Sequence, residues 1–197
     1  MKRLWSYHRS EFIVAIAALL GVLGQGLLRG VLVGAILSLL LLLRRASNPH
    51  VAFLGRIPGT DRFSDLERHP DNEHLDDVLA FRVESGLMFF NTEEVFDSVI
   101  ARVEAQKKPF KLAIWDLSTS PAVDMAGARM MAALWDELNR RGIGLRVVEA
   151  RSSVRDILRV EEIEEKVGRI DRFHSLADVI ADFERQNGRR TSSAKTR

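Results

Sequence analysis

The sequence predicts an α/β domain preceded by a two-helix transmembrane hairpin. Three observations carry this. Phe12 to Leu43 is apolar with only Gln25, Arg29 and Ser38 interrupting it. Leu112 to Leu117 is a short apolar run, dense enough for a strand buried on both faces, and Ser118-Thr119-Ser120-Pro121 closes it with residues that favour turns. An amphipathic helix then runs from Asp124 to Arg141, stopped by Gly142, and Gly144 to Glu149 supplies a returning strand. Strand, loop, helix and strand make a βαβ unit, and its first loop lies at the carboxyl end of a central strand, where open α/β sheets place their working surface.

Taken in order, the apolar stretch comes first. A single straight helix over Phe12 to Leu43 would run about 48 Å at ~1.5 Å per residue, well beyond a hydrocarbon core of ~30 Å. A lone arginine at mid-bilayer costs about 2.5 to 3.5 kcal/mol, so Arg29, among Gly24, Gln25, Gly26 and Gly30, is expected at a membrane turn. The predicted spans are Phe12 to Leu28 and Val31 to Leu43, of which the second is brief and either borrows Leu27 and Leu28 or fails to cross fully. Lys2, Arg3 and Arg9 before the pair and Arg44 and Arg45 after it put both ends on the cytoplasmic side by the positive-inside bias. The expected location is the inner (plasma) membrane, with the soluble domain cytoplasmic. Gly30, Gly34 and Ser38 fall four apart, a stripe that permits close approach of another membrane helix.

The rest of the chain is electrically balanced. Of the 29 Lys and Arg, four precede Arg44, and of the 27 Asp and Glu, one does. Basic and acidic residues are interspersed except in the tail, which argues against nucleic acid as a partner. With no cysteine, thiol catalysis, disulfides and thiolate metal sites are excluded.

Residues 46–77 read as a connector broken by Asn48-Pro49, Ile57-Pro58-Gly59 and His69-Pro70-Asp71-Asn72, with at most a short helix between Asp61 and Arg68. Val51, Phe53, Leu54, Ile57, Phe63 and Leu66 are too apolar for a solvated linker, so it packs on something. His69 and His74 with their neighbouring carboxylates lack ligand spacing, and no metal is expected there. The domain proper spans 78–187. Val78 to Val83 is a strand and Leu87 to Phe90 a second, joined at Ser85-Gly86. Asn91 caps a helix that has Glu94 at its third position. After the βαβ unit come a short helix at Val154 to Arg159 and a last helix at Ser175 to Gln186, capped by Ser175 with Asp178. Residues 188–197 are polar and expected to be a disordered tail.

The candidate site is the loop after the central strand: Ser118, Thr119, Ser120, Asp124, Met125, Ala126 and Gly127. It has neither a P-loop nor a dinucleotide fingerprint, so no phosphate cradle and no cofactor is expected. None of the five histidines (8, 50, 69, 74 and 174) lies in it, so no nucleophile has a base and no catalytic residue is assigned. Asp124 reads either as part of a docking surface or simply as a helix cap, and Gly127 as a close-packing residue.

Gly86-Leu-Met-Phe-Phe-Asn91, Trp115-Asp-Leu-Ser118 and Val123-Asp-Met-Ala-Gly127 resemble the STAS domain, the α/β module with a mixed sheet found in SulP-type sulfate permeases and in anti-sigma-factor antagonists. Upstream, Glu11-Phe12, the glycine-broken apolar pair, Leu43 to His50 and Leu54 to Asp61 resemble the last two membrane helices and connector of SulP permeases. The resemblance implies a STAS-like mixed sheet and a non-enzymatic role as the C-terminal regulatory and assembly portion of an anion transporter, without the transport core. An alternative is a self-standing, membrane-tethered binding module that regulates a protein partner. The partners implied are membrane lipid, the membrane helices of a SulP-like core or a protein at the Asp124 loop, and optionally a second copy of the chain. In the antagonists a phosphorylated serine follows this aspartate. Here Met125 and Ala126 stand there, so a kinase switch at that site is not implied.

Overall fold

The computed structural model describes residue 16 and residues 27–106 and 108–194, with side chains of residues 16, 28–106 and 108–187. Two compact units divide at Asn48.

In the first unit, Ile16 is helical and the rest of the predicted first span lies outside the described residues, apart from its last two. Helix α1 runs Leu27–Ser47, longer at both ends than the expected Val31 to Leu43. Arg29 is its third residue, within the first helical turn and not at a turn of the chain as expected; residues 17–26 lie outside the described residues. The helix gains length at its other end because Arg44 and Arg45 suit the negative end of the helix dipole. Ser47 Oγ and Asn48 Nδ2 also donate to the otherwise unpaired carbonyls of Leu43 and Arg44, at 2.9 Å each. Leu28 to Ser47 is long and apolar enough to cross a membrane by length and composition. Val31, Leu32, Leu39 and Leu42 are each more than half exposed.

The second unit is built on a five-stranded sheet of order β2-β1-β3-β4-β5. Its strands are β1 Val51–Arg56, β2 Phe63–Asp65, β3 Val78–Val83, β4 Leu112–Asp116 and β5 Gly144–Val148. β1 runs antiparallel to both β2 and β3, whereas β3, β4 and β5 are parallel, which makes the sheet mixed. The helices are α2 Thr92–Ala105, α3 Met125–Arg140, α4 Ser152–Val160, α5 Ile163–Val167 and α6 Leu176–Ala194.

Side-chain alternation assigns each strand residue to a face. Leu79, Phe81 and Val83 with Ala113, Trp115, Leu145 and Val147 pack against Val95, Val99, Met131, Leu134, Leu138, Val154 and Leu158 of α2, α3 and α4. On the other face Ala52, Leu54, Val78, Ala80, Ile114 and Val148 meet Leu176 and Ile180 of α6. Each large side chain so buried contributes about 1.5 to 3 kcal/mol.

Three expectations are corrected. Residues 46–77 are not a separate connector carrying at most a helix: they supply β1 and β2, and Arg56 also exchanges backbone hydrogen bonds with Glu73 at 2.8 and 2.9 Å. Leu87 to Phe90 is not a strand paired across a Ser85-Gly86 hairpin, and only Leu87 makes an isolated parallel bridge, to Val123. The last helix does not end near Gln186 but continues to Ala194, into the stretch 188–197 where a disordered tail was predicted. One glycine costs a helix about 1 kcal/mol, which need not end it when no proline follows.

Candidate functional site

At the carboxyl ends of β3 and β4 two loops, residues 84–91 and 117–124, are laced together. Leu87 N–H donates to the Ala122 carbonyl and Asp124 N–H to the Leu87 carbonyl, both at 2.9 Å. Thr119 Oγ1 and Ser120 Oγ both donate to the Val83 carbonyl, at 2.8 and 3.3 Å. Asn91, almost wholly buried, does not cap α2 with its side chain as its position predicts. It reaches back instead, donating to the Gly86 carbonyl at 2.9 Å and accepting from Met88 N–H at 3.0 Å.

Asp124 ties both loops to α3. Its Oδ1 accepts from Gly127 N–H at 2.7 Å, as a helix cap should, and its Oδ2 accepts from Phe89 N–H at 2.8 Å. With both oxygens committed to backbone donors, the carboxylate acts as a joint between loops. Gly127 is needed for the same contact, because a Cβ there would lie 2.8 Å from the Leu87 carbonyl oxygen.

These bonds sort the seven candidate residues. Ser120 and Gly127 are buried, Ser118, Asp124 and Ala126 are half-buried, and Thr119 and Met125 are exposed. Met125 is 56% exposed, and Phe89, held one residue away through Asp124, is 73% exposed. Phe89 also stacks edge-on with Phe90, with ring centroids 5.2 Å apart. The sequence reading missed Phe89 because it placed the Leu87 to Phe90 run in a strand. Its signal was two successive aromatics directly before a helix start, of which only one can face the core.

Beside the loops, on the α6 face, Arg82 Nε and Nη2 donate to Asp116 Oδ2 at 2.9 and 2.6 Å. Asp116 Oδ1 accepts from Ser118 N–H at 2.8 Å, so this buried carboxylate holds the loop base. Glu149 follows β5 in the left-handed region at φ 58°. Burial pushes its carboxyl up, with Asp116 and Asp178 adding to the effect and Arg82 opposing it. None of the described histidines joins the loops: His50 pairs with Asp65 and His174 with Asp171. Among the described residues no group of three metal-ligating side chains forms. The loop pair therefore presents a surface with two exposed apolar side chains, Phe89 and Met125.

A mixed sheet with this helix order and a laced loop pair at the strand ends defines a class of small α/β domains. The chain belongs to the STAS domain family, which matches residues 69–179. It is 29% identical over 185 residues to a probable sulfate transporter of Mycobacterium tuberculosis, an overlap of 94% of this chain and 33% of that protein. It is 23% identical over 191 residues to high affinity sulfate transporter 1 of Stylosanthes hamata, covering 93% of this chain and 29% of that protein. The chain thus spans about a third of the length of the curated relatives it matches. Among solved structures, murine solute carrier 26 family member A9, an anion transporter in the inward-facing state, shares the fold with a TM-score of 0.76 at 20% identity, over 91% of this chain and 29% of that one. The SulP resemblance read from the sequence agrees with these relatives.

Proposed function

We propose that this chain is the regulatory and assembly end of a SulP-like transporter of sulfate or a related anion. In this reading α1 is one of the transporter's last membrane helices and the STAS domain lies on the cytoplasmic side. Phe89, Thr119 and Met125 dock on another part of the transporter or on a protein that controls it. The observation that carries the reading is the extent of the likeness. The STAS family accounts for residues 69–179, yet similarity to sulfate transporters covers 94% of the chain and so takes in α1, β1 and β2 as well. A free-standing STAS module would need only the former.

The test is radiolabelled sulfate uptake into membrane vesicles from cells expressing the whole reading frame that contains this chain, beside a frame ended after Asn48. The intact frame is expected to import sulfate or a competing anion, and the shortened one to import far less or to fail to accumulate. If the intact frame moves no anion above empty vesicles, the transporter reading is wrong, and a membrane-tethered binding module takes its place.

A further inference from the structure

Away from the loops, a cleft of about 350 Å³ opens between β5 and α6 at the edge of the sheet. Its floor is apolar, made by Val148, Val179 and Phe183, and its rim carries Arg146, Arg169 and His174. The volume falls at the small end of the range for small-molecule sites, and polar and apolar side chains line it about equally. The cations differ in their commitments. Arg169 lies 3.5 Å from Asp171, and His174 shares that carboxylate at 2.9 Å. The wall carboxylate, Asp182, is engaged by Arg185. Among the described residues Arg146 has no carboxylate partner, and its Nη1 donates to the Val167 carbonyl at 3.3 Å. It is nevertheless held in place. Gly168, at φ 83°, leaves open the space its guanidinium occupies, since a Cβ there would lie 2.0 Å from Nη1. An unneutralised, positioned guanidinium above an apolar floor is suited to an anion that carries an apolar group.

We propose that this cleft binds a small amphiphilic anion, an aryl carboxylate or aryl phosphate, with its charge on Arg146 and its ring on Val148, Val179 and Phe183. The proposal stands apart from the transport reading, since neither the loops nor α1 takes part. The experiment uses the full chain in nanodiscs of zwitterionic lipid, with empty nanodiscs as the blank. The fluorine resonances of 4-fluorobenzoate, 4-fluorophenyl phosphate and neutral 4-fluorobenzamide are followed on titration. At least one anion is expected to broaden well beyond the blank while the amide does not, and acetate at equal concentration should fail to displace it. Arg146→Gln should weaken binding about tenfold or more, as for loss of a charge-assisted hydrogen bond. Arg169→Glu, on the exposed rim, should weaken it severalfold with the circular dichroism spectrum unchanged, and it decides the matter if Arg146→Gln does not fold. Broadening no greater than the blank, equal binding of the amide, or affinity unchanged in a folded variant would each overturn the proposal.

Discussion

Two carboxylates show how much of this domain hangs on single side chains. Asp124 both caps α3 and accepts from Phe89 N–H, so its replacement loses two backbone partners at once. Asp124→Ala is expected to cost about 2 kcal/mol, the upper range for a cap, in urea unfolding, whereas a cap alone averages about 1. Asp65 is the second. Burial pushes its carboxyl up, but a 2.8 Å hydrogen bond with His50, the Glu67 N–H and the charges of His50 and Arg68 outweigh burial and hold it below the ordinary carboxylate range. A carboxyl lowered on folding adds stability above its unfolded pKa and loses it as the pH falls through the folded value. Asp65→Asn should therefore unfold more easily than the parent at pH 7, and the gap should close as the pH drops below about 4. A gap that widens in acid would reverse the sign of this assignment.

At the scale of elements, the βαβ unit, the α3 cap and the Ser175 and Asp178 capping pair of α6 were all legible in the sequence, because each is local. A strand flanked by turn residues or a cap three residues from its acceptor is decided within one turn of chain. The errors share the opposite cause. Val51 to Arg56 shows no clean alternation because Val51, Ala52, Leu54 and Gly55 are all buried, and its partners lie both downstream at Phe63 and beyond at Val83. Leu87 to Phe90 has the composition of a strand, but Asn91 and Asp124 spend the backbone donors of Met88 and Phe89 on side chains. The Arg82 and Asp116 pair is a similar long-range fact, since register alone places them side by side. Removing the cation strands a buried carboxylate. Arg82→Met should cost about 3 to 5 kcal/mol in denaturant midpoint analysis, and Arg82→Met with Asp116→Leu should recover most of it.

For the whole molecule, 21 residues of α1 make a helix about 31 Å long at ~1.5 Å per residue, a match to the hydrocarbon thickness. The full chain should stay with the membrane pellet through alkaline carbonate washing, and quantitative release would remove the anchor. The two laced loops were legible as a location, because the order of elements alone puts them at the carboxyl ends of β3 and β4. Their exposed tips were not. Which of Ser118 to Gly127 faces outward depends on hydrogen bonds to Val83 and Leu87, more than 30 residues away.

The position of β1 has a mechanical consequence. It is the first strand after α1, reached through Asn48, Pro49 and His50, and it is bonded to β3 on one side and to β2 on the other. Tension transmitted along the chain from the helix therefore enters the sheet at an interior strand rather than at a free edge. An edge strand could peel from a single neighbour, but β1 is paired with β3 over Val51 to Phe53 and with β2 over Leu54 to Arg56, so it can leave only by breaking both ladders and splitting β2 from the rest. Pulled in an optical trap by its amino-terminal end, the domain should resist as a unit and then rupture in one step, without shedding its first strand beforehand.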